Sequence, residues 1–480
     1  MTTTTDIDFA AREALRLLGP DPENWVFDQP GIDHNVTIVV GSGSGSTFAF
    51  ALRRAGIGGV TVIDEAEDEA HAGVWLTRAR MKKLRTPKNL PGPELGIPAL
   101  SFQAWYEARH GAEAYAAIDR IPRVLWAEYL SWYRHFLNIP VRYQTKLIRI
   151  EPDVGFLRLH LEVNGVRQVE TTRKIIFANG VAGTGGANIP PVLASLPRQL
   201  YAHTSELINF SELRGKTVAV LGAAASAFDA AGVALESGAK AVHLFARRSQ
   251  IASLPVIRVR GYPGAYYNYA QLPDAARWFQ AWRFNQVGST PPPDAIARVT
   301  AFSHFHLHLS ATWKSAHNQG DRIVAQVNDD VLEFDFAIAG TGYFVDPTKR
   351  PELADFAHHI ALWRDRYEPP ADQRSEQLST YPYLGSAHEY QEKVPGTAPY
   401  LKDIHVFNPA GFVSFGLPIG DVPSIRRDVP AIVELISHDL FFADWSQHEA
   451  RITSDNVAPD FESSLYADAV WKKPVKAVVS

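Results

Sequence analysis

The sequence predicts an α/β fold with two parallel-sheet units. Two stretches predict it. Residues 35–64 read as a strand over 36–40, a turn of small residues, a helix over 47–54 and a second strand over 60–63. Residues 217–246 repeat that order, with strands at 217–222 and 241–246 around a helix at 228–236. Strands that are near-continuous Val, Ile and Leu, alternating with helices, belong to parallel sheets covered on both faces. A repeat about one domain length later makes two such units.

The first turn reads Gly41-Ser42-Gly43-Ser44-Gly45-Ser46. Gly41, Gly43 and Ser46 stand at the three small-residue positions of a dinucleotide fingerprint. Gly41 permits the tight turn, and Gly43 lets backbone N–H groups approach a pyrophosphate. Ser46 is small enough for the helix to pack on the strand. Ser44 and Gly45 belong to the same phosphate-binding turn, at the positive end of the helix. Asp64 closes the second strand where an acid meets ribose hydroxyls, with Glu65 beside it. The unit is thus dinucleotide-binding and Rossmann-like.

In the second turn, Gly222 is followed by Ala223, Ala224, Ala225, Ser226 and Ala227. Ala224 takes the place of the second glycine, and its methyl crowds the approach to a pyrophosphate. Its strand closes on Arg247-Arg248 rather than on an acid. A carboxylate accepts from ribose hydroxyls and repels a 2′-phosphate, whereas a guanidinium pairs with that phosphate as a fork. The first site is therefore expected to take FAD or NAD, and the second NADP(H). The plainer reading of Arg247 and Arg248 is a pair of solvated surface arginines.

The rest of the chain follows in order. Residues 7–18 read as an amphipathic helix with Ile7, Phe9, Leu15 and Leu18 as core contacts, ended by Gly19-Pro20. A loop-rich arm leads into the first strand. Beyond Asp64 come Gly73-Val74-Trp75 and the proline-rich stretch 85–93, placed where segments often line a cofactor. Residues 123–137 form a helix with an aromatic face, read as core. Strands at 141–149 and 157–163 form a small antiparallel sheet with a hairpin turn at Asn164-Gly165. A strand over 174–178 ends at Asn179-Gly180, and a Gly- and Pro-rich crossover follows.

Residues 255–300 form an insertion rich in Tyr, Trp and Phe, fitting a substrate lid or a packed core or interface equally. His304, His306 and His308 alternate on one face of a strand in a meander of the second nucleotide unit, where a polar outer face is preferred over a metal site. Residues 412–422 precede a helix over 429–441.

Composition excludes several classes. The 480 residues are long enough for two or three domains, and 46% hydrophobic with 21% charged residues is ordinary for a globular chain. A net charge of −5 gives no reason to expect nucleic acid. The absence of cysteine removes disulfides, thiolate metal sites, a cysteine nucleophile and a redox dithiol. The start lacks the basic and apolar regions of a signal peptide, and no apolar run reaches membrane-spanning length. A cytoplasmic protein with no metal, membrane or nucleic-acid partner is expected.

Several of these stretches together resemble the flavin-dependent class B monooxygenases: the flavin-containing, Baeyer–Villiger and N-hydroxylating enzymes. They are Gly41 to Ser46, Asp64 with Gly73-Val74-Trp75, the helix with Trp126, Tyr129 and Trp132, and Ala178-Asn179-Gly180. Then come His203-Thr204-Ser205, Val220 to Ala227 with Arg247, Ala339-Gly340-Thr341-Gly342-Tyr343, and residues 407–440. The resemblance implies FAD at the first site, with Trp75, Asn179, Gly342 and Asp421 among its contacts, Asp421 at the ribityl chain. It implies NADPH at the second. Residues 1–211 and 335–480 would form the FAD domain, and 212–334 the inserted NADPH domain.

The implied activity is oxygen transfer. NADPH reduces FAD, the reduced flavin traps O2 as a C4a-(hydro)peroxide, and one oxygen atom passes to a small organic substrate. The chain departs from the subfamily signatures, which set a glycine four residues before the histidine; here Gln199 precedes His203, and Leu207-Ile208 follow it. Arg85 fills the place of an asparagine expected near the flavin, and is the candidate catalytic group. The alternatives are an NADPH-dependent flavoprotein dehydrogenase or reductase without oxygen transfer, and a non-catalytic flavin-binding protein.

Overall fold

A computed structural model describes residues 6–454 and 457–473. Residues 1–5, on which the expectation of no leader rests, lie outside the described residues. The protein is a mixed α/β structure with several sheets.

The first sheet is built around one long strand. Parallel strands β1 (His34–Val39) and β2 (Val60–Ile63) pair in the register Val36–Val60. β1 also pairs parallel with β7 (Val166–Phe177). The first half of β7 belongs to an antiparallel meander with β5 (Thr145–Asp153) and β6 (Phe156–Val163). Its last residues pair parallel with β18 (Ile404–Val406). The antiparallel strands expected as a separate small sheet are therefore continuous with the parallel one, because β7 at 12 residues is long enough to serve both. Asn164-Gly165 makes the β6–β7 turn as expected.

The second sheet is wholly parallel, in the order β12 (Phe305–His308), β11 (Ala241–Phe245), β10 (Thr217–Leu221), β16 (Phe336–Ala339), β9 (Tyr201–His203). It takes β9 and β16 from outside residues 212–334, so the sheet is wider than the stretch that the sequence marks out. The histidine strand β12 is its parallel edge, not part of a meander. A three-stranded antiparallel sheet of β13 (Trp313–Gln319), β14 (Arg322–Val327) and β15 (Asp330–Phe334) supplies the meander instead. Two ribbons complete the strands: β3 (Lys83–Pro87) with β4 (Arg120–Pro122), and β8 (Gly185–Ala187) with β17 (Tyr343–Val345). The β8–β17 ribbon lies where the chain crosses between the two large sheets and returns.

Six helices matter for the site. They are α1 (Ile7–Leu18), α2 (Gly43–Arg54), α3 (Arg123–Phe136), α4 (Ala225–Glu236), α5 (Asp274–Val287) and α6 (Val422–Ala443). α1 buries Ile7 and Ala11, but Phe9 and Leu18 of its expected core face are exposed. The helix meets its neighbours along a narrower stripe than its apolar residues suggest. α3 buries Trp126, Tyr129 and Tyr133, matching its expected aromatic core face.

The aromatic insertion is mixed. Trp278 of α5 is 1% exposed and packs on Trp363 and Tyr367, and Phe284 packs on Phe412. Tyr262, Tyr267 and Phe279 remain exposed. Ion pairs then bind the last long helix to the sheet. Arg173 of β7 makes two 2.8 Å bonds to Asp444 at the end of α6. Lys174 pairs with Asp403 at 2.8 Å and also with Asp439. Among the described residues no helix is long and apolar enough to cross a membrane.

Candidate nucleotide-binding and active site

Parallel strands all end at one edge, and ligands of open α/β sheets bind outside that edge. On the first sheet this edge collects Gly41 to Ser46 after β1, Asp64 after β2, Asn179 after β7 and Asn408 after β18. On the second it collects Gly222 to Ala227 after β10, Arg247 and Arg248 after β11, and Gly340 to Gly342 after β16. The two predicted turns thus occupy the edges that the chemistry requires.

At the first turn, α2 begins at Gly43 with Ser42 as an N-cap that makes no side-chain hydrogen bond. The N–H groups of Gly43, Ser44 and Gly45 have no partner within the helix. They form an uncapped anion cradle. The tight helix–strand contact falls at Gly45, where a Cβ would stand 2.0 Å from the carbonyl oxygen of Val40. It does not depend on Ser46, which is buried and places its hydroxyl 3.2 Å from the Gly41 carbonyl. Gly43 faces Leu130, whose Cδ2 would lie 2.9 Å from an added Cβ. Val40 itself has φ of 83°, an outlier for a β-branched residue and a local store of strain.

Asp64 is 4% exposed. One carboxylate oxygen accepts the Gly41 N–H at 2.9 Å and the other the Ala66 N–H at 2.9 Å. Burial raises its pKa against these two bonds. The carboxylate therefore ties β2 to the turn, with lone pairs left over for ribose hydroxyls. Glu65 is exposed and lies 3.7 Å from Lys146. Asn179 accepts a 2.9 Å bond from Asn408, which joins the ends of β7 and β18. Trp75 meets Trp126 edge-on at 6.4 Å.

Sequence reasoning found the helix that runs along this edge but read it only as core. Trp126, Leu130 and Arg134 lie four residues apart on one stripe of α3. Arg134 donates to the Gly41 carbonyl at 3.1 Å and pairs with Glu69. A cavity of about 430 Å³ opens beside it, lined by Glu69, Asn138, Val141 and Tyr143. At the other end of the stripe, Trp126 lines a cavity of about 180 Å³ with Glu94, Phe102, Val422 and Arg426. The Tyr143 hydroxyl and the Trp126 indole N–H are buried without a hydrogen-bond partner. An uncapped cradle beside the buried Asp64, with the unpartnered Tyr143 hydroxyl along the track, fits an extended dinucleotide such as FAD. The signal was available: the three residues are spaced i, i+4, i+8 on a helix already read as aromatic.

At the second turn, Gly222 has φ of 117°, and a Cβ there would meet the Gly340 carbonyl at 2.2 Å. This glycine serves the contact between β10 and the segment after β16. Ala224 is the N-cap of α4, without a side-chain cap. Ala225 and Ala227 are buried and Ser226 is exposed. The two arginines separate. Arg247 is exposed and forms no hydrogen bond or ion pair among the described residues. Arg248 donates to the carbonyls of Asn285 and Val287 at 2.8 Å and caps the end of α5. Arg248 is thus committed to the protein, contrary to its expected share in a 2′-phosphate site.

Arg85 on β3 reaches Asp229 of α4, with Nη2 at 3.3 Å from Oδ2. Asp229 is 5% exposed, and burial raises its pKa while Arg85 lowers it. Arg298 stands 3.8 Å from the other oxygen. His203 is fully buried, and burial holds its pKa down. Its Nε2 lies 2.9 Å from the Gly342 carbonyl, and its Nδ1 accepts the Ser205 N–H at 3.1 Å. The neutral ring with Nε2–H satisfies both, so His203 pins Gly342 to the end of β9.

Asp421 accepts the Ser424 N–H at 3.0 Å and is the N-cap of α6. Its carboxyl is pushed up to about 6 by burial. Asp421 thus caps a helix that begins at Val422, earlier than the start at 429 expected from the sequence; the Asp421-Val422-Pro423 opening was a readable start signal. Of the histidine strand, His308 bonds His243 at 2.9 Å. Among the described residues no group of three or more His, Asp or Glu is placed to hold a metal.

Comparison with known proteins bears on this geometry. The family model of L-lysine 6-monooxygenase/L-ornithine 5-monooxygenase matches residues 112–256. A FAD-dependent urate hydroxylase of Xanthomonas campestris pv. campestris is 37% identical over 444 residues, covering 91% of this chain and 93% of the relative. An ornithine hydroxylase of Pseudomonas aeruginosa superposes with a TM-score of 0.66 at 18% identity, over 85% of this chain and 99% of that one. An ornithine N-hydroxylase of Kutzneria sp. 744, solved with reduced FAD, NADP+ and L-ornithine, gives 0.64 at 16% identity, with coverages of 85% and 99%. The two structures share this fold.

Proposed function

This chain belongs to the class B flavin-dependent monooxygenase family, and from that premise we propose that it is an NADPH-dependent FAD monooxygenase acting on a flat nitrogen heterocycle of the urate kind. The observation that carries the substrate class is the 37% identity to the urate hydroxylase over nine-tenths of both chains. The two edges support FAD at 1–211 and 335–480 and NADPH at 212–334, with β9 and β16 crossing that boundary to complete the second Rossmann-like sheet.

Held by the first turn, FAD would supply the redox chemistry, which is hydride acceptance from NADPH and delivery of one atom of O2 to the substrate with the other leaving as water. The chain does the rest. The uncapped N–H groups of Gly43, Ser44 and Gly45 hold the pyrophosphate. Asp64 accepts from ribose, and Arg134 holds the turn by its Gly41 bond. Trp75 and Trp126 wall the far end of the track against water. At the second edge Arg247 meets the 2′-phosphate, and Arg85 offers a fixed cation between the two turns, oriented by Asp229. A site that draws on NADPH suits a cytoplasmic enzyme.

The test is substrate-dependent NADPH consumption with urate, L-ornithine and L-lysine under ¹⁸O2, read with product mass. Labelled product from urate alone supports the proposal. Labelled product from an amino acid alone moves the substrate class to N-hydroxylation. Consumption without label in a non-exchanging product moves the reading to a dehydrogenase.

A further inference from the structure

The smaller cavity lies at the end of the α3 stripe, between the 84–94 segment, the start of α6 and Phe102. At about 180 Å³ it is below the ~300–1,000 Å³ usual for drug-sized ligands, so it suits a small compact molecule. Its wall is aromatic, with Phe102 and Trp126 tilted at 45° and 6.0 Å apart. Flat rings stack well on such a surface.

Its polar groups are unequal in what they have left to give. Trp126 is 3% exposed, lines the cavity, and its indole N–H has no partner. A buried donor of this kind costs free energy until something accepts from it. Glu94 accepts the Gly92 N–H at 2.8 Å, and burial raises its pKa against that bond and the nearby charge of Arg426, which favours the uncharged carboxyl. Two cations border the space. Lys88 is spent on the Tyr115 carbonyl and ring. Arg426 acts on the Glu94 carboxyl by its charge but forms no hydrogen bond or close ion pair among the described residues, so its fork of donors is unfilled.

We propose that this cavity is the subsite for the substrate's ring, with Arg426 pairing its negative charge and the Trp126 N–H donating to a ring carbonyl or nitrogen. The inference rests on the monooxygenase reading and narrows it: the preferred substrate is an anionic flat heterocycle, and Arg426 is its specificity-determining residue. A guanidinium selects for charge because it presents two parallel donors to an anionic N–C–O edge. A neutral ring of the same shape keeps the stacking and the Trp126 bond but gains less from Arg426.

Calorimetric titration of the flavin-loaded enzyme with urate and with neutral hypoxanthine tests this. Arg426→Gln should raise the Kd of urate by about tenfold or more and change that of hypoxanthine little, with partial recovery in Arg426→Lys. Trp126→Phe, which keeps the ring and removes the N–H, should weaken both ligands. Flavin content equal to the parent shows that each variant is folded. Equal urate affinity in parent and Arg426→Gln overturns the subsite, as does failure of the parent to bind urate. Arg426-dependent urate binding that never yields ¹⁸O-labelled product overturns the oxygenase reading and leaves the subsite standing.

Discussion

Gly45 lies so close to Val40 that a single methyl group would overlap the Val40 carbonyl oxygen, at 2.0 Å. The obstacle is backbone, which cannot swing aside. At Gly43 the obstacle is the tip of the Leu130 side chain, which can. Gly45→Ala is therefore expected to cost about 1–3 kcal/mol of stability and to release flavin, whereas Gly43→Ala keeps its fold and loses flavin affinity alone. Thermal unfolding and the flavin-to-protein absorbance ratio separate the two. A Gly45→Ala protein with parental stability and full flavin would contradict the contact.

The two arginines after β11 should part company in kinetics. Arg247 is free and Arg248 caps α5. Arg247→Ala should raise the KM for NADPH by roughly tenfold, the worth of a charged hydrogen bond of about 1.5–3 kcal/mol, and leave NADH use nearly unchanged. Arg248→Ala should lower the melting temperature with little change in coenzyme preference. A larger NADPH defect in Arg248→Ala than in Arg247→Ala would reverse the assignment.

Arg85 and Asp229 join β3 to the helix after the second turn. Because the guanidinium is 42% exposed, their coupling is expected to stay below about 1 kcal/mol. On the proposed reading of Arg85 as a cation offered to the cofactors, the functional effect should be larger than the energetic one. Arg85→Ala and Asp229→Asn are each expected to divert NADPH oxidation toward hydrogen peroxide, and the double variant no further than the worse single one. Additive peroxide release would show that the two residues act independently.

Acid stability has a traceable sign. His405 is fully buried beside Lys174, and burial pushes its pKa down from 6.5 to about 3. Unfolded, the ring takes up a proton below pH 6.5; folded, it refuses one until about pH 3. The stability from its neutral form is complete above pH 6.5 and is lost as pH falls toward 3. Denaturant unfolding across that window should show stability rising with pH, and His405→Leu should flatten the slope. An unchanged slope would show that His405 does not carry it.

The sequence by itself determined the units. Apolar runs, small-residue turns and strand-closing charges are local patterns, and the elements at 36–63 and 217–245 form where the patterns lie because backbone hydrogen bonding and side-chain alternation act over a few residues. The same patterns, with the resemblance they carry, were enough for the family. The start of the last long helix was also legible, through the Asp421-Val422-Pro423 cap-and-proline opening.

Only the tertiary structure decided what each small or charged residue touches. Arg248 meets carbonyls 37 and 39 residues away. Gly222 yields to Gly340, and β7 lends its end to a strand that arrives more than two hundred residues later. Arg85 and Asp229 meet across 144 residues. Sequence spacing carries no information on such approaches, because they are set by how sheets and helices pack once the chain has closed.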